Sequence, residues 1–270
     1  MKIQRLQIIG MYVFLSIFSL ISVFPLYWMA VSATNRSLDV IRGTLIPGRY
    51  LLNNWESLTN AQNLGTAFWN SLRNATILTI VSLVVCSMAG YGFEIYHSKA
   101  KDRLFSVILL AMMVPFAATI VPLFRMVANF GLLNSTAGFM LPMISTPFLI
   151  MLFRQSSRSF PHDIIEAARI DGLNEIQIFY RMFIPTMKAT YAAAMTIVFM
   201  NGWNAFLWPR VIMLTNDSIT MPMLISNLIA GYVTDFGVLM LAVLVTTIPT
   251  ITVFFIMQKH FAEGIVGAVK

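Results

Sequence analysis

Long runs without a charged residue alternate along this chain with short polar stretches. The uncharged runs are Ile8–Val31, Asn74–Phe93, Leu104–Phe124, Ala137–Phe153, Ala189–Pro209 and Phe236–Gln258. Each is near the roughly 17–25 residues that a bilayer-crossing helix requires. With their flanks they predict six spans at about 8–31, 70–96, 104–127, 137–154, 189–211 and 236–258, in a single transmembrane domain over residues 1–270. The expected fold is therefore all-α and polytopic, with six transmembrane helices. A seventh uncharged run, Ser218 to Thr234, is short and carries Pro222, Asn227 and Gly231, which marks it as an external or re-entrant piece.

Composition agrees with the pattern: the chain is 58% hydrophobic and 11% charged, against roughly 25% charged in soluble domains. The first run is too long for the apolar core of a cleavable signal, about 7–15 residues, and is expected to stay as an anchor. A net charge of +7 would suggest an acidic partner in a soluble chain. Here its distribution sets topology instead. With the N-terminus inside, 12 of the 18 Lys and Arg residues fall in cytoplasmic segments, which places both termini in the cytoplasm and gives no reason to expect a nucleic acid partner. The lone cysteine, Cys86, lies in a span, so an intrachain disulfide is excluded.

Between the spans, Ser32 to Arg73 forms a polar outer loop expected to hold a short interfacial helix, and His97 to Arg103 a tight basic turn. Pro115, Pro122, Pro142, Pro147 and Pro249 fall within or beside spans, where they predict kinks. Glu94 and Arg125 are the ionisable groups nearest the hydrocarbon, and both sit near span ends as anchors. An ion-coupled carrier keeps acids or broken helices near the midplane. Such acids are missing here, so energy has to enter from elsewhere.

The most informative segment is residues 155–188, polar and amphipathic between the fourth and fifth spans. Ser159 is a candidate cap, Phe160 and Pro161 open a helix, and Asp163 and Glu166 occupy its first turns, where the helix dipole favours acids. Ile164, Ile165 and Ala168 share a face, and Gly172 stops the helix. A second helix begins near Asn174, with Ile176, Phe179, Tyr180 and Phe183 at i, i+3, i+4 and i+7, before Pro185 leads into the next span. Ala167 and Ala168 would let a partner's backbone approach closely. An interfacial helix resting on lipid would instead be rich in Lys and large apolar residues.

The series Glu166, Ala167, Ala168, then Asp171 and Gly172, then Phe179, Ile184 and Pro185, resembles the signature of permease subunits in bacterial binding-protein-dependent ABC importers. The resemblance extends over nearly the whole chain. Asn70, Ser71, Leu72 and Asn74 look like the family's N-S-L at the second span, Tyr91 and Gly92 fall at its A-Y-A-like exit, and Met113 to Pro115 match M-x-P in the third. Trp203, Asn204 and Phe206 look like W-N-x-F, and Gly267 to Lys270 like the family's G-A-V-K ending. These features point to the carbohydrate-uptake branch, specifically the shorter permease of the maltose-type pair.

The resemblance implies a coupling helix, carrying Glu166, Ala167, Ala168, Asp171, Gly172 and Pro185, that docks into a groove on an ATPase subunit. It implies as partners a homologous second permease, two ATP-binding-cassette ATPases that carry ATP and Mg²⁺, and an extracytoplasmic sugar-binding protein, all at a bacterial or archaeal cytoplasmic membrane. Trp203, Asn204 and Trp208 are candidates for the translocation pathway, since rings stack on sugar faces and an amide bonds hydroxyls. Interfacial anchoring and helix–helix adhesion explain the same residue types. Gly267 and Lys270 reach the ATPase interface on the resemblance and are an ordinary free terminus on the bland reading. No phosphate loop, H-E-x-x-H or histidine ligand spacing occurs, so no catalytic residue, metal site or cofactor is expected in this chain. The rival classes are an ion-coupled carrier and an intramembrane enzyme.

Overall fold

The computed structural model describes residues 2–61, 63–231 and 233–267. Among these, every regular element is helical. The chain runs through α1 (Lys2–Ser32), α2 (Ser37–Ile41), α3 (Leu51–Ala61), α4 (Leu64–Ile95), α5 (Lys99–Leu110), α6 (Phe116–Asn129), α7 (Thr136–Met140) and α8 (Pro147–Ser157). It continues with α9 (His162–Ile170), α10 (Glu175–Ile178), a π-helical turn (Phe179–Phe183), α11 (Ile184–Thr186), α12 (Lys188–Trp203), α13 (Leu207–Ile212), α14 (Met221–Ile229) and α15 (Phe236–Gly267).

Three helices are long and apolar enough to cross a membrane unaided: Ile8–Ser32, Leu64–Ile95 and Phe236–Lys259. Up to six spans result if each of three bent helix pairs counts as one: Lys99–Met113 with Phe116–Asn129, bent by 101°, Thr136–Met143 with Pro147–Ser157, by 55°, and Glu175–Thr186 with Lys188–Trp203, by 84°. The breaks have a local cause. Val114 and Thr146 precede Pro115 and Pro147, and both are extended, at φ −80°, ψ 116° and φ −93°, ψ 133°. A proline ring disfavours the α conformation in the residue before it. The Ile144 carbonyl, freed at the second break, accepts from Cys86 Sγ at 3.4 Å. Pro122 and Pro249, by contrast, stay inside helices. The fifth predicted span is interrupted too, because α12 ends at Trp203 and α13 restarts at Leu207.

The chain forms two compact units. The first comprises residues 1–64 and 224–248. The loop after α1 holds two short helices, α2 and α3, tied by buried amides: Asn54 Nδ2 donates to the carbonyls of Ala33 at 2.9 Å and Asn35 at 3.0 Å, and Asn35 Nδ2 to Ile46 at 3.0 Å. Helix α1 exposes apolar side chains from Ile8 to Tyr27, which suits hydrocarbon or a partner subunit.

The second unit comprises residues 65–223 and 249–270, of which 268–270 lie outside the described residues. It contains the polar insert and the helix ends that support it. Gly90 on α4 lets α8 approach closely: a Cβ there would lie 2.6 Å from Phe153 Cβ and 2.7 Å from the Arg154 backbone nitrogen. Beside this crossing, buried Arg154 links three helix ends. Its Nε lies 3.1 Å from Glu94 Oε2, its Nη2 lies 2.6 Å from Asp102 Oδ1, and its guanidinium covers the Phe105 ring at 4.3 Å. Glu94 also meets Arg158 at 3.5 Å and Asp102 meets His97 at 2.8 Å. Glu94 is thus part of an ion-pair network as well as a residue at a span end.

Candidate docking element

The insert is a compact two-helix hook. Helix α9 begins at Pro161, which is the N-cap residue and supplies no side-chain cap. Ser159, the expected cap, instead donates its hydroxyl to the Ser156 carbonyl at 2.7 Å, because it belongs to the turn that closes α8. The C-terminus follows the sequence closely. Gly172 adopts φ +80°, its N–H bonds the Arg169 carbonyl at 3.1 Å, and the Leu173 N–H reaches the Ala168 carbonyl at 3.0 Å. This pair of bonds is a Schellman stop, which needs a residue that accepts the left-handed conformation. Asn174 then caps α10 through a reciprocal box: its Oδ1 accepts from the Gln177 N–H and Gln177 Oε1 accepts from the Asn174 N–H, both at 2.9 Å.

Beyond Ile178 the helix widens. Pro185 has no N–H for the Arg181 carbonyl and would crowd it, and residues 179–183 adopt the π turn. The residues that face inward differ from the expected set. The buried set is Ile178, Phe179, Phe183 and Met187, at spacings of four from Phe179 onward, while Ile176 and Tyr180 are exposed. The expected i, i+3, i+4, i+7 face is therefore corrected at two of its four positions. In α9, Ile165 and Ala168 are buried and Ile164 faces outward, which corrects a second face.

These residues pack with Tyr91 from α4 and Phe160 from the α8–α9 turn. Phe183 sits at the centre, with ring centroids 4.8 Å from Tyr91, 5.4 Å from Phe179 and 5.5 Å from Phe160. Aromatic pairs at such separations add about 0.5–1.5 kcal/mol each beyond area burial. At the rim, Arg169 Nε meets Glu175 Oε1 at 2.8 Å, and the Tyr96 hydroxyl donates to Glu175 Oε2. The Arg169 guanidinium, and then the Tyr96 hydroxyl, hold the Glu175 carboxyl below its ordinary range. Asp102 is held low in the same way, first by its bond to Arg154.

The expected docking residues separate by exposure. Glu166, Ala167, Asp171, Gly172 and Pro185 are exposed, and Ile170 beside them is 86% exposed. Ala168 is buried in the hook's own core and cannot line a partner's groove, so close approach there falls to Ala167 and Gly172. The hook thus presents acids, small residues and a bare isoleucine on a surface braced from behind by aromatic rings.

The other sequence candidates lie apart from the hook. Trp203 is buried against Phe68 at 5.6 Å and Phe199 at 6.0 Å. Trp208 is buried, with Nε1 donating to the Gly138 and Phe139 carbonyls at 3.2 Å. Asn204 is exposed and closes α12, its Nδ2 donating to the Met200 carbonyl at 2.9 Å. A cavity of about 560 Å³ is lined by Phe116, Thr146, Asn201, Phe206 and Trp208 among others. Asn201 escaped the sequence reading because it belongs to no motif. Gly267 ends α15, and Lys270 lies outside the described residues.

Residues 87–267, which include the hook, match the family described as binding-protein-dependent transport system inner membrane component. The chain belongs to that family. It is a multi-pass permease subunit of an ABC importer, and its relatives are transport components rather than enzymes. It is 43% identical over 267 residues to the lactose transport system permease protein LacG of Rhizobium radiobacter, covering 99% of this chain and 98% of that one. It is 31% identical over 268 residues to the arabinooligosaccharides transport system permease protein AraQ of Bacillus subtilis, covering 97% and 95%. The fold matches a crystal structure of a bacterial ABC transporter involved in the import of the acidic polysaccharide alginate, with TM-score 0.81, 21% identity and coverage of 95% and 97%. Family membership implies a partner permease, ATPases and a binding protein.

Proposed function

We propose that this chain is one half of a heterodimeric pore that moves a di- or oligosaccharide into the cell by alternating access, driven by two separate ATPase subunits. The full-length likeness to a lactose-transport permease carries the substrate class, and the likeness to an arabinooligosaccharide permease supports it. The hook carries the energy input. Glu166, Ala167, Asp171, Gly172 and Pro185 seat in the ATPase groove, with Ile170 filling an apolar part of it, and Ala168 supports them from within. ATP and Mg²⁺ bind on those partners. The charge distribution supports cytoplasmic termini and a hook on the cytoplasmic side. From the terminus, Gly267 and Lys270 reach toward the same ATPase. A sugar-loaded binding protein docks on the outer segments, residues 32–73 and 211–235.

The cavity beside Asn201 is this subunit's share of the sugar path. Backbone breaks at membrane depth are tolerated where they are buried in protein or line a cavity, and Thr146, at the second proline break, lines this one. Asn201 offers an amide for hydroxyls, and Phe116 and Phe206 offer ring faces. Trp208 contributes to its wall, while Trp203 and Asn204 hold the neighbouring turn in place.

The docking role is tested with Gly172→Pro and Glu166→Lys in the assembled importer. Both variants insert normally, because neither touches a span, and both lose ATPase co-purification or sugar-stimulated hydrolysis. Wild-type co-purification and stimulation in both would refute the docking role.

A further inference from the structure

We propose that Tyr96, Glu175 and Arg169 form a latch that makes the second span follow the docking hook, so that these three act as positioning residues for coupling. The inference rests on the hook being the ATPase contact. The hook is continuous with the fourth span through Phe160 and with the fifth through Met187, but no covalent link joins it to α4. Noncovalent contacts of two kinds do so, apolar packing and a polar chain. Tyr91 enters the buried aromatic cluster, and Tyr96, one residue beyond the end of α4, donates its hydroxyl to Glu175, which is itself clamped by Arg169.

The two contacts act differently. Ring packing resists separation of α4 from the hook but not sliding or rolling, because dispersion and apolar burial are non-directional. The hydroxyl–carboxylate–guanidinium chain is directional and charge-assisted. It ties α4 to both arms of the hook at once, since Arg169 is on α9 and Glu175 opens α10. The Tyr96 end is itself fixed, because Lys101 Nζ donates to the Tyr96 carbonyl at 2.6 Å and lies 5.1 Å from its ring centroid. A displacement of the hook is thereby passed to the end of the second span with its direction kept. The Arg154 network links that end to α5 and α8.

The latch is too exposed to hold the fold together, with the Arg169 and Glu175 side chains 46% and 44% accessible. Exposed ion pairs contribute little to stability, so breaking this one leaves the hook formed and loosens only its connection to α4.

The test uses the complete importer, with its own ATPases and binding protein, in nanodiscs. Basal and binding-protein-stimulated ATP hydrolysis are measured for Arg169→Glu, Glu175→Arg, the double exchange, and Tyr96→Phe. Each single change is expected to lower stimulated hydrolysis about two- to five-fold, the scale of one exposed charged contact, with basal hydrolysis and ATPase co-purification unchanged. The double exchange restores the ion pair and recovers most of the stimulation. Wild-type stimulation in the single variants, or no recovery in the double, overturns the latch. Loss of co-purification in Arg169→Glu or Glu175→Arg also overturns it, because those residues would then be ATPase contacts. Failure of the docking reading shows separately, as intact co-purification and stimulation in Gly172→Pro and Glu166→Lys.

Discussion

Replacing Phe183 by alanine removes the ring on which the hook is built. It is fully buried and touches rings from α4, the α8–α9 turn and its own helix, at 4.8, 5.5 and 5.4 Å. Phe→Ala in a packed core costs about 3–5 kcal/mol. The cluster is small and bordered by open surface, so the lower half of that range applies. At 1.4 kcal/mol per factor of ten, the population in which the hook is open rises on the order of 100- to 1000-fold. The spans are untouched, and the change is therefore local opening rather than global unfolding. Limited trypsinolysis in nanodiscs reads this directly. Arg181 lies in the π turn and is cleaved only when that turn opens. With fast reclosing, cleavage tracks the open population, and the Arg181 cut accelerates by that same large factor. Tyr180→Ala, at a position already 52% exposed, accelerates it at most a few-fold. Cleavage of Phe183→Ala within two-fold of wild type, or equal acceleration in Tyr180→Ala, would refute the claim that this cluster holds the hook.

Two further outcomes follow from the same geometry. Gly90→Val places a branched side chain against the Phe153 and Arg154 backbone, where overpacking costs about 1–3 kcal/mol. Thermal unfolding of the purified complex should shift downward, whereas Gly92→Ala, with nothing within 4 Å, leaves it unchanged. Glu175 has a lowered pKa when folded, so its stabilising contribution is present above the ordinary glutamate range and is lost only as pH falls through the lowered value. The Glu175 carboxyl carbon signal should therefore titrate below the ordinary glutamate range, and in Arg169→Ala its titration moves upward toward ordinary glutamate. An unchanged midpoint in that variant would contradict the assigned cause.

Local signals in the chain were legible wherever one residue decides the backbone. Gly172, Asn174, Pro115 and Pro147 all act through their own conformational limits, and each sits at a helix end or break. The family signature could be read for the same reason, since its residues are contiguous. Less legible was anything that depends on register or on distant partners. A period of 3.6 placed Ile176 and Tyr180 on one face with Phe179 and Phe183, whereas the structure exposes those two and buries Ile178 beside Phe179 and Phe183. Composition gave Arg154 as an ordinary positive residue at a span end. Its carboxylate partners, Glu94 and Asp102, are 60 and 52 positions away and come together only when α4, α5 and α8 pack. Asn201 has no motif to mark it and is found only from the cavity it lines.

The π turn also bears on how portable this hook is between permeases. A helix carrying one extra residue per turn cannot be spliced at an arbitrary point, because a cut inside 179–183 restores ordinary winding and rotates everything after it. Its buried face is completed by Tyr91 and its rim by Tyr96, which lie more than 60 residues upstream. On the proposed docking role, an exchange of ATPase specificity between related importers therefore has to move residues 160–187 as one cartridge, together with those two tyrosines. Transplanting the contiguous signature alone would carry the contact surface without its mounting.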